Sequence, residues 1–223
     1  MILDKVRKDL MLSVSMLERA GIIDFNGHCS IRLGDNAMAI NSGRSVRSAL
    51  KEEDIVAIDF DGNLLDGTDA PPMEFHLHAG MYRNRADVNA VVHAHPRYSR
   101  LFTMTGRKIE PVFPQGALLG DMPVFTDPMS INTKDRGEAV ATMIGNGRAG
   151  LLPSHGAILV GADICEAFAL TIYLEDNAKS QYEAEALGAP YVFSGKDLEI
   201  CNKNLWNPKL FQKCWDYHAA CLT

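Results

Sequence analysis

Two tight-turn signals, Gly34-Asp35-Asn36 and Asp61-Gly62, each follow an apolar run of strand length, and they decide what kind of sheet this chain can build. Runs at 29–33 and 37–40 flank the first, and a run at 54–60 precedes the second. Hairpins join antiparallel neighbours, so the sheet is at least partly antiparallel. Further runs at 88–95, 149–152 and 157–160 read as strands. Helical patterns alternate with them. Leu3, Val6, Leu10, Val14 and Leu17 recur at three- and four-residue spacing, and Gly21 supplies a stop. Pro71-Pro72 introduce a helix over 73–84, and a short helix follows Pro96 as far as Gly106. Residues 133–144 form a helix with Asn132 or Thr133 as its cap, and 162–187 form a longer one closed by Gly188. Beyond Gly188 the pattern is mixed. The expectation is an α/β protein with a mixed sheet. No G-x-G-x-x-G or G-x-x-x-x-G-K-[ST] motif is present, which removes the usual dinucleotide and P-loop folds.

No repeat or Pro/Ser-rich linker divides the 223 residues, so one domain over 1–223 is expected. Lys plus Arg number 22 and Asp plus Glu 28, a net charge of -6 that argues against a nucleic-acid partner or an anionic membrane surface. No apolar run is long enough to span a bilayer. The charged start MILDKVRKDL lacks the apolar stretch of a signal peptide, so a cytoplasmic location is expected. Cys29, Cys165, Cys201, Cys214 and Cys221 are odd in number and contain no C-x-x-C pair, which reads as reduced, packed thiols.

The seven histidines include two close pairs. His93 and His95 lie two apart in VVHAHP, and on a strand both rings leave the same face. Two imidazoles on one face suit a shared cation. His155, in a Ser-His-Gly turn between two strands, completes a three-histidine set with an open position, the pattern of a catalytic metal. Glu74, near a helix start, is the candidate acid/base, and His78 lies on the same helical face, where it could orient Glu74. His76 reads as an ordinary ring. The loop SGRSVRS offers backbone amides and two arginines suited to a phosphate or carboxylate, with a solvated basic loop as the alternative.

The stretches GHCSIR (27–32), INSGRS (40–45), EEDIVAIDFDGN (52–63), MEFHLHAGMYRNRADVNAVVHAHP (73–96) and LLPSHGAILVGADICEAFALTIYLEDNAK (151–179) resemble the class II aldolase/adducin family. The resemblance covers the chain from the first helix to about Gly188. It implies a three-layer α/β/α fold with a mixed, largely antiparallel central sheet. It implies a divalent cation, Zn²⁺ or Mn²⁺, on His93, His95 and His155, with Glu74 as acid/base. It also implies a homo-oligomer, typically a tetramer with sites at subunit interfaces, whose tail can close over a neighbouring site; Tyr217 and His218 are the residues to watch there, against an ordinary amphipathic end.

Departures from the sugar-phosphate members bear on the substrate. Their G-N-x-S carries His28 here, their Ser-Ser is Pro72-Met73, and the stretch that holds a proton-donating tyrosine in some aldolases reads EPVFPQG. Ser42 and Gly43 remain, followed by Arg44 and Arg47. The G-H-x-S-x-R pattern is similar to that of decarboxylases of hydroxylated aromatic or pyridine carboxylates. The expected activity is therefore a metal-dependent carbon–carbon lyase, and within that class a decarboxylase of a hydroxylated aromatic or heteroaromatic acid. His28 and Arg44 would anchor its carboxylate, with contacts from Ser42 and Gly43. The alternatives are an aldolase or epimerase on a small hydroxy-aldehyde or sugar phosphate, and a non-catalytic adducin-like interaction module.

Overall fold

In the computed structural model, which describes residues 2–222, seven strands make one sheet. They are β1 (His28–Arg32), β2 (Ala37–Asn41), β3 (Ile55–Asp59), β4 (Leu64–Asp66), β5 (Ala90–Ala94), β6 (Ala149–Leu152) and β7 (Gly156–Gly161). Their order is β4-β3-β2-β1-β5-β7-β6, and every neighbouring pair is antiparallel. The parallel component is confined, among the described residues, to an isolated bridge between Val124 and Leu151. The two turn signals join β1 to β2 and β3 to β4. At the second, Asp59 Oδ1 accepts from the backbone of Asp61 at 3.0 Å and of Asn63 at 2.8 Å, which closes the turn. The short β4 carries no apolar alternation toward a core, and its three residues are exposed, which is why it does not stand out in the sequence.

Helices cover both faces. α1 (Ile2–Arg19), α3 (Arg97–Thr105), α5 (Ile164–Leu187), α6 (Lys196–Leu205) and α7 (Pro208–Ala220) lie beside α2 (Phe75–Asn84) and α4 (Lys134–Ile144) in chain order. Alternation along β5 divides them. Ala90, Val92 and Ala94 join a core with Leu10 and Val14 of α1, Phe102 of α3, Phe168 of α5 and Trp215 of α7. Val91 joins a second core with Leu77 and Met81 of α2 and Val140 and Ile144 of α4. This is the three-layer α/β/α arrangement. The unpatterned tail is two helices; α7 starts with Pro208 and the Asn207 side chain accepting from the Lys209 amide, and buries only Phe211 and Trp215. None of the described helices is long and apolar enough to cross a membrane.

The contact between α2 and α4 is made of backbone. A Cβ at Gly80 would overlap the Gly137 carbonyl oxygen, and one at Gly137 would overlap the His76 carbonyl oxygen. Glycine at both positions lets the two helices touch, which draws the segment before α4 onto the start of α2, where Glu74 sits.

Candidate active site

β5 ends at Ala94, so His93 lies inside the strand and His95 just beyond it, both on the face that carries α2. His155 comes from the turn between β6 and β7. Ser154 adopts φ 57°, and Gly156 is needed because a Cβ there would overlap the Ala94 carbonyl oxygen. That close approach sets His155 beside the other two rings, at 5.1 Å from His93 and 5.2 Å from His95 between centroids.

The outer nitrogens of the pair are already engaged. His93 Nδ1 donates to the Ala157 carbonyl at 3.1 Å, and His95 Nδ1 lies 3.5 Å from Asp24 Oδ1. Such partners put the proton on Nδ1 and leave Nε2 as a lone pair. The two Nε2 atoms face each other 3.2 Å apart. Two lone pairs at that distance repel unless a cation lies between them. Nitrogens held about 2.0–2.1 Å from a tetrahedral ion are about 3.3–3.4 Å apart, so the donor set fits one. The ligand atoms of His93, His95 and His155 all lie within 4.8 Å of one another. Burial, then the neighbouring His93 and His155, push the His95 pKa down to about 4, which keeps the ring neutral.

Glu74 stands at the N-cap of α2, with Oε2 3.3 Å from His93 Nε2 and 3.6 Å from His155 Nε2. Its Oε1 accepts from Ser130 Oγ at 2.8 Å and from the Ile131 amide at 2.9 Å. Burial raises the carboxyl pKa, but the adjacent His155 and His93 rings and the hydrogen bond from the Ile131 amide outweigh it and hold the group well below the usual carboxylate range. Glu74 is thus an anchored carboxylate with one oxygen turned toward the histidines.

Glu74, His95, Ser130 and His155 border a cavity of about 440 Å³, also lined by Asn26, His28, Gly43, Arg47, Pro71, Pro72 and Met73, with His93 buried behind them. Arg47 is only 5% exposed. Its Nε donates to Gly27 O at 3.1 Å, and Nη1 donates to Ser42 O at 3.2 Å, Ser45 Oγ at 2.8 Å and Ser45 O. Its Nη2 has no partner, and no carboxylate pairs with the guanidinium, among the described residues. Burial lowers its pKa, yet a guanidinium stays charged. Arg44, by contrast, is exposed and outside the cavity lining, a correction to the sequence reading. Residues 44 to 47 alternate out and in, so Ser45 and Arg47 turn inward while Arg44 and Val46 face solvent. Ser42 is buried with an enclosed, unpartnered Oγ and does not line the cavity. Gly43 does, but its amide is taken by the Ala70 carbonyl at 3.0 Å.

His28 faces His93 in register across β1 and β5, with ring centroids 5.0 Å apart. Burial, then His78 and His93, push its pKa well below the ordinary value, so it is neutral. His78 does not reach Glu74. Its ring lies between β1 and α2, with Nε2 2.7 Å from His28 Nδ1 and Nδ1 2.6 Å from Ser30 Oγ, and burial takes its pKa down to about 3. The signal for this contact was the joint spacing of His28 and Ser30 on a strand and His78 and Tyr82 on a helix. Ser130 carried none; it reaches Glu74 from 56 residues away. In the tail, Tyr217 is exposed and the His218 ring packs on Phe168 at 5.4 Å.

The family described as Class II Aldolase and Adducin N-terminal domain matches residues 9–182. L-fuculose phosphate aldolase of Methanococcus maripaludis strain C7 is 29% identical over 167 residues, 75% of this chain and 90% of its own length. 3-Oxo-tetronate 4-phosphate decarboxylase of Haemophilus influenzae is 30% identical over 206 residues, 88% of this chain and 97% of its own. 3,4-Dihydroxyphthalate decarboxylase of Arthrobacter keyseri is 26% identical, with 82% and 79% covered. Among solved structures, an L-fuculose 1-phosphate aldolase superposes with a TM-score of 0.82 at 25% identity, covering 91% of this chain and 97% of its own.

Proposed function

Because this chain belongs to the class II aldolase and adducin N-terminal domain family, we propose that it is a divalent-metal-dependent carbon–carbon lyase, and within that class a decarboxylase of a hydroxylated aromatic or heteroaromatic carboxylic acid. The observation that carries the second half is the make-up of the anion-binding corner. A phosphate monoester carries close to two charges and calls for several donors. Here the Ser42 hydroxyl is enclosed elsewhere, the Gly43 amide is occupied, and Pro72-Met73 offer no hydroxyl. Arg47 Nη2, neutral His28 and the side-chain amide of Asn26 remain, a donor set that carries one formal charge and suits a carboxylate better than a phosphate dianion. Relatives named as aldolases support the second reading, aldol cleavage of a sugar phosphate.

In the proposed reaction Arg47 anchors the substrate carboxylate, and His28 bonds an adjacent oxygen. Zn²⁺ or Mn²⁺ held by His93, His95 and His155 would supply Lewis acidity, drawing negative charge onto the substrate's oxygens as the carbon–carbon bond breaks. Glu74, with Oε1 tied to Ser130 and Ile131, keeps Oε2 free to accept the substrate hydroxyl proton and return it to carbon. Pro71, Pro72 and Met73 contribute apolar surface to the same cavity.

The test is metal analysis and a substrate panel on one preparation. Release of CO₂ from dihydroxybenzoates, dihydroxyphthalates or pyridine dicarboxylates supports the reading. Aldehyde release from ketose phosphates alone replaces it with the aldolase. A protein that binds no divalent ion and turns over neither set removes both, leaving a partner-binding module.

A further inference from the structure

We propose that His28 is held by α2 as a hydrogen-bond donor, its proton fixed on Nε2 by a one-way chain that runs from Tyr82 through Ser30 and His78. Tyr82 Oη lies 2.7 Å from Ser30 Oγ, Ser30 Oγ 2.6 Å from His78 Nδ1, and His78 Nε2 2.7 Å from His28 Nδ1. All four side chains are at most 3% exposed, so water cannot complete an unmet bond within the chain. Counting protons leaves one full assignment. The only hydrogen-bond partner of the Tyr82 hydroxyl among the described residues is Ser30 Oγ, so the Tyr82 proton has no other acceptor. Ser30 then donates to His78 Nδ1, and the neutral His78 donates from Nε2 to His28 Nδ1. Reversing the chain strands the Tyr82 or the Ser30 hydroxyl proton in the core, a cost of about 1–3 kcal/mol. The proton of neutral His28 therefore sits on Nε2, the nitrogen that has no protein partner and is not enclosed. His28 lines the cavity, so this N–H is offered there.

Two consequences separate this from a generic buried network. A ligand atom of His28 also lies within 4.8 Å of Glu74 and His93, so distance alone would admit a second ion site. A protonated Nε2 excludes it. The group opposite His28 must also be an acceptor, a carboxylate or carbonyl oxygen, and not a cation or a hydroxyl that needs an acceptor. Strand spacing explains the fit: His28, Ser30 and Arg32 step two residues at a time along His78 and Tyr82, four apart on α2, and Arg32 finishes the strip by donating to the carbonyls of Tyr82 and Arg85.

The chain's direction holds whichever bond the enzyme breaks; only the identity of the acceptor as a substrate oxygen rests on the reading of the cavity given above. Imidazole nitrogen NMR on the zinc-loaded full chain reads the direction, with the His28 signals assigned from their loss in His28→Asn. The expected result is a single tautomer, Nε2 protonated and Nδ1 accepting, for both His28 and His78. Ser30→Ala should mix the tautomers and raise KM for the substrate found in the panel about tenfold, and Ser30→Thr should restore both. A proton on His28 Nδ1 in the unaltered protein, needing no variant to fold, overturns the proposal, as does an unchanged tautomer in Ser30→Ala. A panel without CO₂ release beside an intact Nε2–H supports the chain and counts against the decarboxylase reading alone.

Discussion

His93 Nε2 and His95 Nε2 face one another at 3.2 Å while their Nδ1 atoms point to Ala157 O and Asp24. A cation removes the repulsion between the two lone pairs, so binding should stabilise the folded state. At a free metal concentration one hundred times Kd the gain is about 2.7 kcal/mol. Thermal melts should show Tm falling on chelation and returning with Zn²⁺ or Mn²⁺, and His93→Asn should abolish the response. A Tm indifferent to both treatments sinks the assignment.

Glu74→Gln preserves size and the bonds from Ser130 and Ile131 to Oε1 while removing the basic oxygen. Metal content should stay near that of the parent, and kcat should fall roughly 10²- to 10⁴-fold. Ser130→Ala removes one of the two anchors and should cost about tenfold in kcat. Turnover of Glu74→Gln within a factor of two of the parent would strip Glu74 of its role.

Arg47 and Arg44 separate cleanly. Arg47 lines the cavity with a free Nη2, while Arg44 is exposed. A charge-assisted hydrogen bond contributes about 1.5–3 kcal/mol, so Arg47→Met should raise KM for a carboxylate substrate roughly 10- to 100-fold. Arg44→Met should leave it unchanged. The opposite ranking in steady-state kinetics would return the anchor to Arg44.

The α2–α4 contact can be tested without touching the cavity. A Cβ at Gly80 overlaps the Gly137 carbonyl, so Gly80→Ala must push the helices apart. Overpacking of this kind costs about 1–3 kcal/mol, readable in urea unfolding. Because α4 is preceded by the segment that holds Glu74, kcat should fall along with stability; loss of stability with unchanged kcat would show that the segment is placed independently.

How much of this was legible in the sequence depended on the range of the contact. His93 and His95 share a face through strand geometry alone, and the turn at Ser154-His155-Gly156 is written in its glycine, so this set could be named residue by residue. The hairpins and the two-faced sheet follow from Asp61-Gly62 and from alternation along residues 90–94. Arg47 was passed over for Arg44 because the turn after Gly43 alternates outward and inward, and which phase faces the cavity depends on Pro71-Pro72 packed against Gly43. Ser130 reaches Glu74 across 56 residues, where no local pattern encodes the contact, and the partnership of His28 with His78 is signalled only by matched spacings on a strand and a helix 50 residues apart. The tail escaped because α7 buries just two aromatic residues, too few to make a helical stripe visible.

His78 sets an acid limit on the fold. Burial, with a smaller effect of His93, takes its folded pKa down to about 3, against an unfolded value of about 6.5. Between those values the unfolded chain binds a proton that the native ring refuses, so stability rises with pH. The contribution is fully present above pH about 6.5 and is lost as pH falls toward 3, at up to about 1.4 kcal/mol per pH unit. His78→Gln removes the titrating group. Its unfolding free energy should start lower at pH 7, because the bonds to His28 and Ser30 are weakened. Its slope from pH 6.5 to pH 4 should be shallower than that of the parent by close to one proton. Urea unfolding of chelated protein across that range gives both slopes, and parallel curves would mean that His78 takes up its proton in the folded state.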